Sequence, residues 1–256
     1  MKEGIRSFAL SLGVDDVGFA SADDYSSPNS PAIDSLFPGV RSLIVLAFRE
    51  LSSCESPSPQ LAMNGRLDLM EVARSTCYRL ARYVEGKLGS PAMTAPLSYP
   101  MDFSTPAKAG IGEVSLRHAA VAAGLGAFGL NNLVVHPRFG TRAIFAAVLT
   151  KLELASDPPV LDNPCTACRV CVQACPAGAL NDEGKTDFMK CIRNSQPYGI
   201  RASIVFWNRF GQASAEERKS MLSSPEYLSI CQAGFIGFQY FCFSCLKSCP
   251  VGKMGG

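Results

Sequence analysis

The sequence predicts a mixed α/β fold, α+β in character, followed by a smaller cysteine-rich part, on three observations. Ser42-Leu-Ile-Val-Leu-Ala-Phe48 is a continuous apolar run of the kind a strand buried on both faces shows, and such a strand needs helices above and below it. Residues 66–88 place Met70, Ala73, Cys77, Leu80, Ala81, Val84 and Leu88 on one helical stripe, with Arg74, Arg79, Arg82, Glu85 and Lys87 off it. Beyond a change of composition at Asp157-Pro-Pro159 the chain becomes rich in cysteine. The boundary is therefore expected there, dividing 1–156 from 157–256.

Taken in order, Ile5, Phe8, Ala9 and Leu12 lie at helical spacing with Gly13 as the stop, and Val17-Gly-Phe-Ala20 reads as a first strand. Residues 21–40 are rich in Ser, Asp and Pro and read as a loop with room for one turn of helix. After the buried-strand run, Leu51 to Gln60 is dense in Ser and Pro and reads as a loop, a candidate lid. Gly89 ends the long helix, and Pro91 to Pro106 reads as an irregular, partly extended segment facing a substrate, with Tyr99 and Asp102 in it. A second helix over 115–123 ends in glycines. Leu133 to Val135 and Ala143 to Thr150 read as a strand pair around the turn His136-Pro-Arg-Phe-Gly140. Asp187 begins a helix that carries Cys191 inward, and the insert from Asn194 to Tyr240, with Trp207 in it, is expected to be partly helical.

With 256 residues, 47% hydrophobic and 18% charged, the chain has room for one large domain and a small one. Its formal charge of +2 is spread without a basic run, so charge does not indicate a nucleic-acid partner. The opening MKEGIRSFALSLGVDD shows no export signal or twin arginine, and no apolar run approaches the roughly 20 residues of a spanning helix. The expectation is a cytoplasmic protein with no membrane partner, where cysteines favour metal ligation over disulfides.

The cysteines carry the chemistry. Cys165-Thr-Ala-Cys168-Arg-Val-Cys171-Val-Gln-Ala-Cys175-Pro176 is the C-x2-C-x2-C-x3-C-P run of two-cluster iron–sulfur proteins. Its fourth cysteine serves the other cluster, so a second set is required downstream, and Cys242, Cys245 and Cys249 before Pro250 supply it. That second run is one ligand short, because Gln239 stands where a fourth would fall. Cys191 is the best substitute and Cys231 its rival. The crossed assignment gives one 4Fe-4S cluster to Cys165, Cys168, Cys171 and Cys249, and the other to Cys175, Cys191, Cys242 and Cys245. Cys77 on an apolar helix face reads as a buried thiol.

Gly124-Leu-Gly126-Ala-Phe-Gly129 matches G-x-G-x-x-G, but a helix precedes it and a strand follows, the reverse of a dinucleotide site. The glycines let backbone approach something large and flat, or make a tight helix-to-strand turn.

His118 to Asn131, then Val134-Val-His-Pro-Arg-Phe-Gly140, then Thr150-Lys-Leu-Glu-Leu154, then the two cysteine groups, together resemble the family of epoxyqueuosine reductases and reductive dehalogenases. Cys191 follows Cys175 by 16 residues, as the extra ligand does in that family. The resemblance implies a nitroreductase-like domain that binds a base-off corrinoid, cobalamin, fused to a ferredoxin-like domain whose two clusters reduce it. On that reading Gly124, Gly126, Gly129, Asn131 and Asn132 form the corrin wall, with His136 and Arg142 at the neighbouring strand ends. His118 reads as an ordinary helix residue, since the family places no protein ligand on the metal. The family's acid falls on Gly110 here, leaving Asp102 and Glu113 as candidate proton donors, with Tyr99 and Tyr240 behind them. Epoxyqueuosine reductases continue into a helical region that helps hold tRNA, whereas this sequence runs seven residues past Cys249 and reads as a short form.

The expected activity is a corrinoid-dependent iron–sulfur reductase acting on a small or nucleoside-like substrate, fed by a low-potential donor such as ferredoxin or flavodoxin. The alternatives are a cofactor-free electron-transfer protein that docks a redox partner, and a tRNA-modifying epoxyqueuosine reductase.

Overall fold

The structure is a computed structural model that describes residues 1–98, 102, 104–105, 111–237 and 240–253. Helix α1 (Lys2–Ser11) leads into β1 (Asp16–Ser21), a short α2 (Ile33–Leu36) and β2 (Ser42–Arg49). A 3-10 turn at Ser52–Glu55 precedes α3 (Pro59–Leu88) and β3 (Ala92–Thr94). Then come α4 (Leu116–Ala122), β4 (Ala127–Phe128), β5 (Val134–Val135) and β6 (Ala143–Thr150). The main sheet has the order β1-β2-β6-β3, and every pairing in it is antiparallel.

Alternation along β2 explains why its sequence is apolar throughout. Ile44, Leu46 and Phe48 point into a core shared with Ile5, Ala9, Leu69, Ala73, Leu80 and Val84 of α1 and α3. Leu43, Val45 and Ala47 point into a second core shared with Ala119, Ala120 and Ala123 of the α4 region. Strand β6 divides its side chains the same way, Ala146 and Val148 to one core and Phe145, Ala147 and Leu149 to the other. Helices therefore cover both faces of a sheet that is antiparallel throughout.

Helix α3 begins at Pro59, a full two turns before the expected start at 66. Ser58 accepts a hydrogen bond from the Leu61 N–H and Pro59 fills the first helical turn, so the Ser/Pro-dense stretch is in part a helix start. Gly89, left-handed at φ 65°, ends the helix as expected.

The expected pairing of 133–135 with 143–150 does not form. Strand β5 pairs instead with β4, Ala127 opposite Val135 and Phe128 opposite Val134, while β6 lies between β2 and β3. The turn closes on itself through reciprocal hydrogen bonds between His136 and Gly140, each 2.8 Å, so β6 leaves in a new direction. Its second edge is taken by β3, from the segment read as irregular.

At the composition change, the Asp157 N–H donates to the Phe19 carbonyl and its carboxylate ion-pairs with Lys2 and Arg6, fastening the chain beside β1. Beyond it lie α5 (Val170–Gln173), α6 (Phe188–Ser195), α7 (Ile200–Gln212), α8 (Ala215–Leu222), α9 (Pro225–Ile236) and α10 (Ser244–Ser248). The long insert is thus largely helical. Its three helices pack around Phe206, which is fully buried against Trp207, Phe210 and Tyr227. Among the described residues no helix is long and apolar enough to cross a membrane.

Candidate iron–sulfur centre

Cys165, Cys168, Cys171 and Cys249 line one cavity, together with Leu130, Val135 and Pro250. The loop that carries the first three is wound tightly enough to hold Ala167 at φ 53° and Arg169 at φ 65°, left-handed conformations that cost a side-chain-bearing residue about 1–2 kcal/mol each. Asp182 grips the Arg169 guanidinium through both carboxylate oxygens and fixes the loop. Cys168 is exposed, whereas Cys171 and Cys249 are buried. Burial raises the Cys171 thiol above its ordinary range, and the thiols of Cys165 and Cys168 add to the shift.

The second set comes from three separate stretches. Cys191 on α6 feels the thiols of Cys242 and Cys175, and Cys245 feels Cys242, Cys191, Cys175 and then Cys171 of the first set. Burial, then this crowding, pushes Cys245 up to about 12. Thiols so placed ionise only beside a positive centre, which is the chemistry that iron supplies. The Ala179 N–H donates to Cys175 Sγ at 3.3 Å, a bond of the kind that tunes a cluster's potential. Cys231 is exposed on α9 and interacts with Tyr227. Cys54 and Cys77 are buried, their thiols pushed up to about 11 and about 12, chiefly by burial. Among the described residues no three His, Cys, Asp or Glu side chains close on a point that would hold a single metal ion. The four thiols of the first set instead ring a cavity, and a cubane needs its ligands spread in that way. The residues present fit 4Fe-4S clusters.

The residues between α4 and β6 face the chain itself. A Cβ on Gly124 would lie 2.3 Å from the Pro158 carbonyl oxygen, and one on Gly126 would lie 2.6 Å from that of Val135. At Gly129 it would meet Val135, Asn131 and, at 3.6 Å, the sulfur of Cys165. Asn131 is buried and donates to the Cys245 carbonyl at 3.3 Å. Asn132 is left-handed at φ 58°, and its carbonyl accepts a bond from Arg117. His136, 2% exposed, bonds Asp16 through Nε2 at 3.2 Å and accepts the Arg138 N–H at Nδ1.

Arg142, 1% exposed, has the largest share in holding the second cysteine run. It donates to the carbonyls of Lys247 at 2.7 Å, Cys249 at 3.0 Å and Val251 at 3.2 Å, and it pairs with Glu55. Thr141 adds a bond to the Leu246 carbonyl at 2.9 Å. Close backbone packing completes the clamp: a Cβ on Gly140, at φ 57°, would stand 1.8 Å from the Val251 carbonyl oxygen. Of the residues read as a corrin wall, Asn131 and Arg142 thus join the sheet to the second cysteine run, while His136 bonds Asp16 and the Asn132 carbonyl bonds Arg117.

Of the proposed proton donors, Glu113 is exposed, and Asp102 accepts the Ser104 N–H at 2.7 Å. Tyr99 and Gly110 lie outside the described residues. His118 bonds the Ser115 hydroxyl at 2.7 Å and packs on Phe128, with burial and then Arg117 lowering its pKa. Tyr240 is half-buried beside the second set, its phenol raised by burial first and by the thiols of Cys245 and Cys191 next.

Sequence reading missed Glu50, Glu55 and Arg66; Glu55 pairs with Arg142, and Glu50 and Arg66 meet beyond the end of β2. Glu50 is buried and pairs with Arg66, and Arg66 lies over the rings of Tyr240 and Phe243. A signal existed. Arg66 falls in helical register with the buried Leu69, Ala73, Cys77, Leu80 and Val84, and a charge on an apolar stripe requires a partner.

No family model matches the chain. An epoxyqueuosine reductase of Bacillus cereus is 25% identical over 225 residues, 75% of this chain and 55% of that protein. One from Gloeobacter violaceus is 28% identical over 215 residues, 73% of this chain and 63% of its own length. The chain spans little more than half of the first of these relatives. A tetrachloroethene reductive dehalogenase of Desulfitobacterium hafniense is 39% identical over 85 residues, 31% of this chain and 15% of that protein. Among solved structures, a selenomethionine-labelled epoxyqueuosine reductase superposes with a TM-score of 0.62 at 19% identity, covering 98% of this chain and 65% of the other. A reductive dehalogenase structure superposes at 0.59 and 19%, covering 91% and 36%. In sequence and in fold, the chain resembles the epoxyqueuosine reductases and reductive dehalogenases.

Proposed function

We propose that this chain is an iron–sulfur oxidoreductase that passes electrons through two 4Fe-4S clusters, one on Cys165, Cys168, Cys171 and Cys249, the other on Cys175, Cys191, Cys242 and Cys245. The carrying observation is that the first four cysteines, from two distant runs, line one cavity, while the other four crowd beside them. The clusters supply one-electron transfer, and the protein supplies their ligands, burial and hydrogen bonds. Exposed Cys168 puts the first set on the side where a low-potential donor such as ferredoxin or flavodoxin would deliver electrons. Cys171 is an electrostatic neighbour of Cys245, so the second set is the next station. The finer architecture belongs to the same proposal: a nitroreductase-like part over 1–156 and a ferredoxin-like part over 157–256.

A corrinoid as the acceptor rests on likeness alone, since one structure with this fold concerns B12-dependent dehalogenation. Gly124, Gly126, Gly129, Asn131, Asn132, His136 and Arg142 do not fit that group as an open wall, because each contacts the chain itself. A second reading, tRNA modification, is favoured by a related epoxyqueuosine reductase solved with a modified tRNA stem loop, which superposes at 0.61 and 19% identity.

Anaerobic reconstitution followed by titration with cobalamin separates these readings. About eight irons per chain support the cluster reading, from two cubanes of four irons each, and a base-off cobalamin spectrum adds the corrinoid. Eight irons without that spectrum would favour the electron-transfer alternative, and fewer than eight would overturn the cluster assignment. Tight tRNA stem-loop binding that survives rising salt would restore the tRNA reading.

A further inference from the structure

The start of α3 is docked on the second cysteine run. Ala62 packs with Cys54, Phe243 and Leu246, and the Tyr240 N–H approaches Met63 Sδ at 3.3 Å. One turn on, Arg66 sits with its guanidinium 5.3 Å from the Phe243 ring centre and 6.0 Å from that of Tyr240. Tyr240 in turn feels Arg66 together with the thiols of Cys245, Cys191 and Cys242. Arg66 is thus a mostly buried cation packed against the two aromatic rings that flank Cys242 in sequence. Its Nε is buried and, among the described residues, has no hydrogen-bond acceptor.

The partner of Arg66 is Glu50, whose side chain is 1% exposed. Burial drives the Glu50 carboxyl above its ordinary range, and Arg66 opposes that shift. The other buried arginine, Arg142, is differently placed. It meets the backbone of 247–251 and a more exposed acid, Glu55.

We infer that Arg66, modulated by Glu50, is the fixed charge that sets the reduction potential of the second cluster. This rests on the two-cluster reading above. Reducing a cluster by one electron adds a negative charge to it. A cation held nearby in a poorly polarisable setting stabilises the reduced form, raising the potential, and a buried carboxylate does the opposite. Arginine keeps its charge at any working pH, and its burial limits screening by salt. A cation so placed makes the second cluster easier to reduce than it would be without it, and so favours an electron passing to it from the first set.

The test is an anaerobic redox titration of the full reconstituted chain, followed by electron paramagnetic resonance, with Cys191→Ser used to identify the second-set signal. Arg66→Met should shift that cluster's electron equilibrium at least tenfold toward the oxidised form, about 59 mV downward for one electron. Glu50→Gln should move it upward, and the first-set potential should stay in place in both. Glu50→Gln also decides the matter if Arg66→Met does not fold. Unchanged second-set potentials with both clusters present would overturn the inference, as would equal shifts at both clusters. A wild-type chain that lacks the second cluster would instead overturn the reading on which it rests.

Discussion

The two cysteine sets proposed as cluster ligands are built by different constructions. Three ligands of the first set lie within seven residues of sequence, 165–171, in a strained loop, and only Cys249 is brought from afar. The second set takes Cys175, Cys191, Cys242 and Cys245 from three stretches, and burial, then the crowding of the other thiols, pushes the Cys245 thiol up to about 12. The first run is therefore shaped by its own backbone, and the second has to be clamped from outside. Asn131, Thr141 and Arg142 supply that clamp through the carbonyls of Cys245, Leu246, Lys247, Cys249 and Val251. The difference teaches that a polar, glycine-rich segment beside a cofactor motif can also fasten the loop that carries the ligands.

The largest expected effect is on cluster number. Cys191→Ser should reduce iron from about eight to about four per chain, whereas Cys231→Ser should leave it near eight. The reverse result would break the assignment of the second set.

Arg142→Met comes next. Removing a buried guanidinium leaves Glu55 and three carbonyls without their donor, at a cost of about 3–5 kcal/mol. A fall of several degrees in the anaerobic melting temperature would register it. An unchanged melting temperature would mean that the second run holds itself.

Two glycines sharpen the contrast further. Gly140→Ala should destabilise by about 2 kcal/mol or more, because φ is 57° and the new Cβ meets the Val251 oxygen. Gly178→Ala, at φ 54° with nothing within 4 Å, should cost about 1 kcal/mol from backbone strain alone. Equal costs in chemical denaturation would show that the Gly140 contact is unimportant.

The smallest effect concerns the anchor of the turn that carries Gly140. Burial opposes ionisation of Asp16, but hydrogen bonds from His136, Arg138 and the Val17 N–H outweigh it and hold the carboxyl at about 2. A carboxyl lowered by folding stabilises the fold above its ordinary value and loses that contribution as pH falls from about 4 to about 2. Asp16→Asn should flatten that part of an acid-unfolding curve followed by circular dichroism. An unaltered curve would remove Asp16 from the account.

Much of the fold was legible because local rules govern it. The run at 42–48 and the stripe of α3 are periodic signals, and both appear in the structure where burial demands them. The pairing of β5 with β4 was not legible, since which strand neighbours which depends on a turn closing on itself at His136 and Gly140. Nor was the function of the segment between α4 and β6. Its glycines, asparagines and Arg142 have the composition of a ligand wall, and only the position of the 245–251 segment shows that Asn131, Gly140, Thr141 and Arg142 hold that segment.

The sequence by itself determined the cysteine spacing, the need for a second set and the alternation of helix and strand, because these follow from ligand geometry and backbone periodicity along a single stretch of chain. The tertiary structure alone decided that Cys191 rather than Cys231 lies beside Cys175 and Cys242, and that Arg66 and Arg142 each end beside a different part of the second run. Those are matters of long-range packing, where residues far apart in sequence meet because the sheet and α3 bury their apolar faces, and no local pattern encodes the meeting.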